Sequence, residues 1–189
     1  MNSLLLIVDP QIDFITGTLA VAGAESAMNS LADYVGEHPA AYRAIVVTLD
    51  LHPFNHSSFS NYGGQWPAHC VAHSVGAAVW EPLMASLSSV AEKTVFLGKG
   101  SETTKEEYSI FANHRSAEKI SRLISDLSID RIDLCGLAGD ICVANTLSDG
   151  VSMFGNEIWH ILTPFTPSLD GGVTLTDLTK KLNVTCDPS

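Results

Sequence analysis

One stretch of this sequence, residues 50–70, reads D-L-H-P-F-N-H-S-S-F-S-N-Y-G-G-Q-W-P-A-H-C and gathers one carboxylate and three imidazoles: Asp50, His52, His56 and His69. The whole chain has seven histidines, so three in so short a span need a reason. Neutral imidazole and carboxylate both offer lone pairs to a divalent transition metal. The stretch is also rich in Pro, Asn, Ser and Gly, which reads as a loop. A polar surface loop that happens to carry histidines is the competing reading; Asp50 and the W-P-A-H-C group tip the balance to metal. Three residues elsewhere offer nucleophile or acid–base chemistry, each beside a plainer role. Asp9 follows an apolar run and either caps the turn at Pro10, the commoner use, or presents a carboxylate at the mouth of a sheet. Lys99 lies between Gly98 and Gly100 just past another strand, its ammonium free to point inward or to stay solvated. Cys142 sits near the start of a helix, where partial positive charge lowers a thiol's pKa toward a reactive thiolate; the plain alternative is an inert buried cysteine. Cys135, inside a strand, keeps the inert reading. Asp13, on the loop that carries Asp9, reads as the structural carboxylate of the two.

These residues need elements to hold them. Residues 4–8 are a continuous apolar run, as in a strand buried on both faces, and Asp9 ends it. Residues 44–49 form a second such strand that ends at Asp50, so the histidine-bearing loop hangs from its carboxyl end. Residues 94–97 form a third, followed by Gly98-Lys99-Gly100. Residues 131–135 form the fourth, followed by a turn with Gly136 and Gly139 that leads to Cys142. Residues 158–162 give a fifth strand and 183–186 a short last one. Helical spacing of apolar residues predicts helices over 23–36, 116–128 with Ser116 as cap, 144–154 and 172–182. A short helix over 76–87 is interrupted in pattern by Pro82. Residues 102–114 read as a loop over the site. Strands and helices alternate throughout, which predicts an α/β fold, a central and mostly parallel six-stranded sheet covered by helices on both faces.

With 189 residues the chain suits one domain over residues 1–189 and a substantial core. Hydrophobic residues at 46% against 16% charged describe a compact globular protein rather than a disordered one. A net charge of -11 argues against nucleic acid and anionic membrane surfaces as partners. The four cysteines show no C-x-x-C spacing, and a chain this large needs no disulfide staples, so reduced thiols and a cytoplasmic location are expected. The apolar start stops at Asp9, too short for a signal peptide, and no stretch reaches membrane-spanning length. Apolar surface beyond the core would support a homo-oligomer.

The motifs I-V-D-P-Q-I-D-F at 7–14, D-x-H-P-x-N-H at 50–56, W-P-A-H-C-V at 66–71, G-K-G at 98–100, Y-S-I-F at 108–111 and G-L-A-G-D-I-C-V at 136–143 run through nearly the whole chain. In this order they make the sequence resemble the nicotinamidase/pyrazinamidase family of the isochorismatase-like cysteine hydrolases. The resemblance implies a three-layer, Rossmann-type α/β/α domain and a catalytic triad of Asp9, Lys99 and Cys142. It implies an oxyanion hole from the backbone of Ala138 and Cys142, and a cis bond between Leu137 and Ala138. It implies a metal held by Asp50, His52, His56 and His69, zinc first with manganese or iron as alternatives. The substrate pocket would involve Phe14, Trp66, Tyr108, Leu137, Ala138 and Ile141. The implied reaction converts the small carboxamide nicotinamide to nicotinate and ammonia through a cysteine thioester, with pyrazinamide as a second substrate and NAD salvage as the setting. A related cysteine amidohydrolase acting on another amide or carbamoyl compound is the alternative. Ile141 stands where relatives often carry a polar or aromatic residue, and His73 is expected to be structural or just outside the metal ligands.

Overall fold

The computed structural model describes residues 1–187. Strand β1 (Ser3–Val8) is buried along its whole length, so it is covered on both faces, as its unbroken apolar run requires. Around it lie β2 (Ala44–Asp50), β3 (Thr94–Lys99), β4 (Arg131–Gly136), β5 (Trp159–Ile161) and β6 (Thr185–Cys186). Their order is β3-β2-β1-β4-β5-β6, and every pairing is parallel. The helices are the short α1 (Ile12–Ile15), α2 (Ala24–Glu37), α3 (Glu81–Ser88), α4 (His114–Asp126), α5 (Ala144–Phe154) and α6 (Val173–Leu182).

Alternation along each strand builds the three layers. Leu5 and Ile7 of β1 pack with Ile45 and Val47 of β2 against Met28 and Leu31 of α2 and Leu83 and Leu87 of α3. Leu4, Leu6 and Val8 face the other way, toward Ile120 of α4, Leu147 of α5 and Leu175 of α6. Successive side chains of a strand point to opposite faces, so one six-residue run serves both cores. Truncating a fully buried residue such as Leu31 to Ala would cost about 2–5 kcal/mol.

The helix starts differ from the sequence reading in instructive ways. Helix α4 begins at His114, two residues early, because Asn113 rather than Ser116 caps it: Asn113 Oδ1 accepts from the Ser116 amide at 3.2 Å. Pro82 falls in the first turn of α3, where its missing N–H costs nothing, so it opens that helix instead of interrupting it. Residues 139–143 form a π-helical turn that runs into α5.

The chain lays down β2 and β3 on one side of β1, then returns to place β4 on the other. The carboxyl ends of β1 and β4 therefore flank the point where the strand order reverses, the usual site of ligand binding in such sheets. Register sets Val8 beside Gly136 and Asp50 beside Lys99.

Candidate active site

Asp9, Lys99 and Cys142 are brought together at that rim, although they lie far apart in sequence. Asp9 leaves β1 with φ at +47°, an uncommon conformation for a residue with a side chain. It is held there by its amide, which donates to the Thr48 carbonyl at 3.1 Å, and by the Thr48 hydroxyl, which donates to Asp9 Oδ1 at 2.6 Å. Lys99 ends β3 and is 1% exposed. Its ammonium lies 2.8 Å from Asp9 Oδ2 and 2.6 Å from Asp50 Oδ1, and it donates to Cys142 Sγ at 3.5 Å. A buried cation between two buried carboxylates is a group no packing argument asks for. Lys99 thus meets Asp9 at Oδ2, while the Thr48 hydroxyl takes Oδ1. Oxygen atoms of Asp9 and Asp50 and the sulfur of Cys142 all lie within 4.8 Å of one another.

The electrostatics follow from burial. Removal from water pushes the Asp9 carboxyl above its usual range; Lys99 pulls it down and the Asp50 carboxylate pushes it further up. Burial also raises the Cys142 thiol well above its ordinary value, with Lys99 opposing and Asp9 and Asp50 adding to the rise. The sequence left Cys142 between a reactive thiolate and an inert thiol, and its surroundings weigh against a thiolate at rest. The helix start is present, but a buried sulfur facing two carboxylates rests as a thiol and needs a neighbour to take its proton. At Asp9 burial outweighs the adjacent Lys99 ammonium, so the net direction is upward. Burial opposes the charge on Asp50 too, but Lys99 and His52 overcome it and hold that carboxyl well below its usual range. Lys99 itself is pushed well above the usual range: its two carboxylates outweigh the burial that would discharge it.

Asp50, His52 and His69 each present one donor atom within 4.8 Å of the others. His52 donates from Nδ1 to the Gly100 carbonyl at 2.9 Å, which turns Nε2 inward, and that Nε2 is buried without a hydrogen-bond partner. His69 is oriented the same way, Nδ1 to the Pro67 carbonyl at 2.7 Å. Such carbonyl contacts are how metal-ligating imidazoles are fixed. His56 belongs to a second, overlapping group with His52 and Glu106. It stacks on His52 at 4.1 Å between ring centroids, pairs through Nδ1 with the Ser58 hydroxyl at 2.6 Å and through Nε2 with the Lys105 carbonyl at 3.1 Å. Glu106 Oε2 is buried with no partner. An orphaned imidazole nitrogen and an orphaned carboxylate oxygen in one cluster fit a cation. His73 lies outside it, exposed, with φ at +69°.

The cavity beside Cys142 is lined by Phe14, Trp66, Tyr108, Ala138 and Ile141, with Asp50, His69 and Glu106 at its polar side. Trp66 Nε1 donates to the Tyr108 hydroxyl at 3.1 Å, which ties two aromatic walls together. Leu137 is not part of the lining: it is fully buried in the core shared with α2, while Ala138, packed in the same core, also reaches the cavity. The bond between Leu137 and Ala138 is cis. Asp13 is structural, accepting from the Cys70 amide at 2.7 Å and from the Thr18 amide at 3.2 Å.

Several contributors were missed from sequence. Gln11 grips the Asp50 backbone at both ends, accepting from its amide at 2.7 Å and donating to its carbonyl at 2.8 Å. Leu19, Val21 and Leu169 complete the apolar lining, and Glu106 adds a carboxylate. A fully buried Glu107 accepts from the Gly100 amide at 2.9 Å, Asn113 Nδ2 at 3.0 Å and the Lys105 ammonium at 2.7 Å, fastening the 101–107 loop beside the site. The only sequence signal for Gln11 was its place in the first motif; the loop residues had none.

Comparison with known proteins gives a consistent result. The family model described as Isochorismatase domain matches residues 3–153. A nicotinamidase/pyrazinamidase of Mycobacterium tuberculosis is 36% identical over 152 residues, covering 78% of this chain and 77% of that protein. The crystal structure of a pyrazinamidase of Pyrococcus horikoshii in complex with zinc superposes with a TM-score of 0.80 at 26% identity, covering all of both chains. PnC1 from L. infantum in complex with nicotinate gives a TM-score of 0.83 at 28% identity, over 98% of this chain and 92% of that one. Among the described residues no helix is long and apolar enough to cross a membrane.

Proposed function

The chain belongs to the isochorismatase family, and from that premise we propose that it hydrolyses nicotinamide to nicotinate and ammonia, with pyrazinamide as a second substrate. The observation that carries this reading is the Asp9–Lys99–Cys142 cluster opening onto a narrow, mostly apolar cavity with the His69 imidazole at one side. Amides are poor electrophiles, and a sulfur nucleophile divides the work into two easier steps. Asp9 takes the Cys142 proton as the sulfur bonds to the carboxamide carbon. Its raised proton affinity suits that task. The developing oxyanion is met by backbone N–H groups of Ala138, just before the π turn, and of Cys142 within it. As the C–N bond breaks, Asp9 returns the proton to nitrogen and ammonia leaves, with the acyl group held on sulfur as a thioester. Water, giving a proton to Asp9, then attacks the thioester; the acid is released and the thiol recovers its proton. Lys99 keeps Asp9 and Asp50 in place throughout. Phe14, Trp66 and Tyr108 flank the flat ring.

Asp50, His52 and His69 would hold a divalent transition metal, with His56 and Glu106 at the neighbouring position. The mixed nitrogen and oxygen donors suit zinc first, then manganese or iron. When bound, such a metal supplies a Lewis-acidic point that holds the ring nitrogen and orients the carboxamide toward Cys142.

Ammonia release from nicotinamide by the purified, metal-loaded protein tests the reading. Turnover with a stoichiometric acid product supports it. No release from nicotinamide, while another small amide is cleaved, would move the chain to a related amidohydrolase.

A further inference from the structure

We propose that Leu169 is a specificity-determining wall of the substrate cavity and that Asp140 is the residue that positions it. This rests on the carboxamide hydrolysis proposed above. Most side chains around the cavity are buried or half-buried; Leu169 is 47% exposed, so it forms the face between cavity and solvent. It arrives from the segment after β5, which the chemistry does not otherwise use. Asp140, two residues before Cys142, holds that segment with both carboxylate oxygens: Oδ1 accepts from the Leu169 amide at 3.0 Å and Oδ2 from the Asp170 amide at 3.2 Å. The Gly139 amide adds a bond to the Pro167 carbonyl at 2.9 Å. A Cβ on Gly139 would collide with Ser168 Oγ and come within 3.0 Å of the Thr166 carbonyl, so the approach of the two segments depends on glycine there. On its far side the segment is fastened to α6, where the Asp170 carboxylate accepts from the Gly172 amide at 2.9 Å and the Thr174 amide at 2.8 Å. Leu169 is thus fixed at the tip of a loop pinned at both ends, and the turn that carries the nucleophile also carries the wall.

The consequence is a limit on ring substituents. A flat, unsubstituted heteroaromatic carboxamide lies against Leu19, Val21, Ile141 and Leu169, whereas a ring carrying an extra methyl group needs volume that Leu169 fills. The test measures kcat and KM for nicotinamide and a panel of ring-methylated nicotinamides with wild type, L169A, L169W, D140A and D140N. For at least one methylated ring, L169A raises the ratio of its kcat/KM to that of the reference carboxamide about 10-fold or more, the scale of one methylene in a hydrophobic pocket, and L169W lowers it. D140A shifts the ratio in the L169A direction and raises KM more than it lowers kcat; D140N, which keeps one acceptor oxygen, shifts it less. Ratios within about twofold of wild type for both Leu169 variants would overturn the wall. A uniform loss across the panel in D140A would mean that Asp140 only supports the fold, and would overturn its positioning role. The ratio is taken against whichever carboxamide wild type turns over fastest, so failure on nicotinamide alone counts against the proposed function and leaves the wall testable; a wild-type protein that cleaves none of the panel overturns both.

Discussion

Three side chains would hold the proposed chemistry, and burial acts on the charge of each. Asp9 and Cys142 both gain proton affinity on burial, which weighs against a preformed thiolate and gives Asp9 the greater pull on the thiol proton during attack. Asp9→Asn removes the acceptor and keeps the shape. It is expected to lower kcat by about 10²–10⁴-fold, the usual weight of a positioned base. It should also slow alkylation of Cys142 by iodoacetamide, followed by peptide mass spectrometry so that the exposed Cys186 is counted separately. Unchanged alkylation would show that the sulfur ionises without Asp9. Lys99 carries the opposite lesson. Its ammonium sits between two carboxylates, and Lys99→Ala strands both in a site closed to water. The expected cost is about 3–5 kcal/mol in urea unfolding, larger than the loss of packing alone. A variant as stable as wild type would mean that the carboxylates take up protons or water with little penalty.

At the scale of elements, the strand ends were legible in the sequence because each is a continuous apolar run closed by a polar residue. That signal placed Asp9, Asp50 and Lys99 at one rim, and the G-L-A-G turn placed Cys142 near them. Loops carry no such period. Glu106, Glu107 and Leu169 reach the site from loops, so nothing in their spacing announced them. Leu137 was misplaced because the motif that names it does not separate the residue that packs into the core from its neighbour Ala138, which also reaches the cavity. The 100–107 segment shows what these unannounced residues do. Gly100 has φ at +69°, and a Cβ there would lie 2.5 Å from His52 Cε1, while its carbonyl fixes His52 Nδ1. Gly100→Ala should therefore weaken metal binding by about 10–100-fold, the range for lost outer contacts to a ligand, as read by direct titration with zinc. Equal affinity would sever the link between this glycine and the imidazole. Glu107 contributes differently. Burial favours its neutral form, but Lys105, Asn113 and the Gly100 amide overcome that and lower its pKa below the ordinary 4.5. Stability from this carboxylate is complete above that value and lost as pH falls through the lower, folded value. The gap in unfolding free energy between wild type and Glu107→Gln should be constant near neutrality and close in more acid solution; a gap independent of pH would show that charge is not what Glu107 contributes.

For the molecule as a whole, the site is a product of the completed sheet. Asp9 follows β1, Asp50 and Lys99 end β2 and β3, and Cys142 follows β4, so these four groups meet only in the folded chain, which also fixes the imidazoles of residues 52–69 around one point. A metal that binds this arrangement binds the native state, and its free energy becomes stability. At a free zinc concentration 100 times the dissociation constant the gain is about 2.7 kcal/mol, which for a domain of this size raises Tm by about 5–10 °C. Chelation should remove that increment and replacement should restore it. Asp50→Asn and His52→Ala should each erase most of the metal-dependent part while leaving a cooperative transition. His56→Ala and Glu106→Gln separate the two overlapping donor groups: a small loss in both places the cation with Asp50 and His69, and a large loss in both places it with His56 and Glu106. Melting temperatures indifferent to chelator and to added zinc, in wild type and variants alike, would mean that these imidazoles gather for a reason other than metal. The orphaned Nε2 of His52, buried against the Lys99-bound Asp50, argues against that outcome, because a polar atom without a partner in a dry site costs about 1–3 kcal/mol that a bound cation would recover.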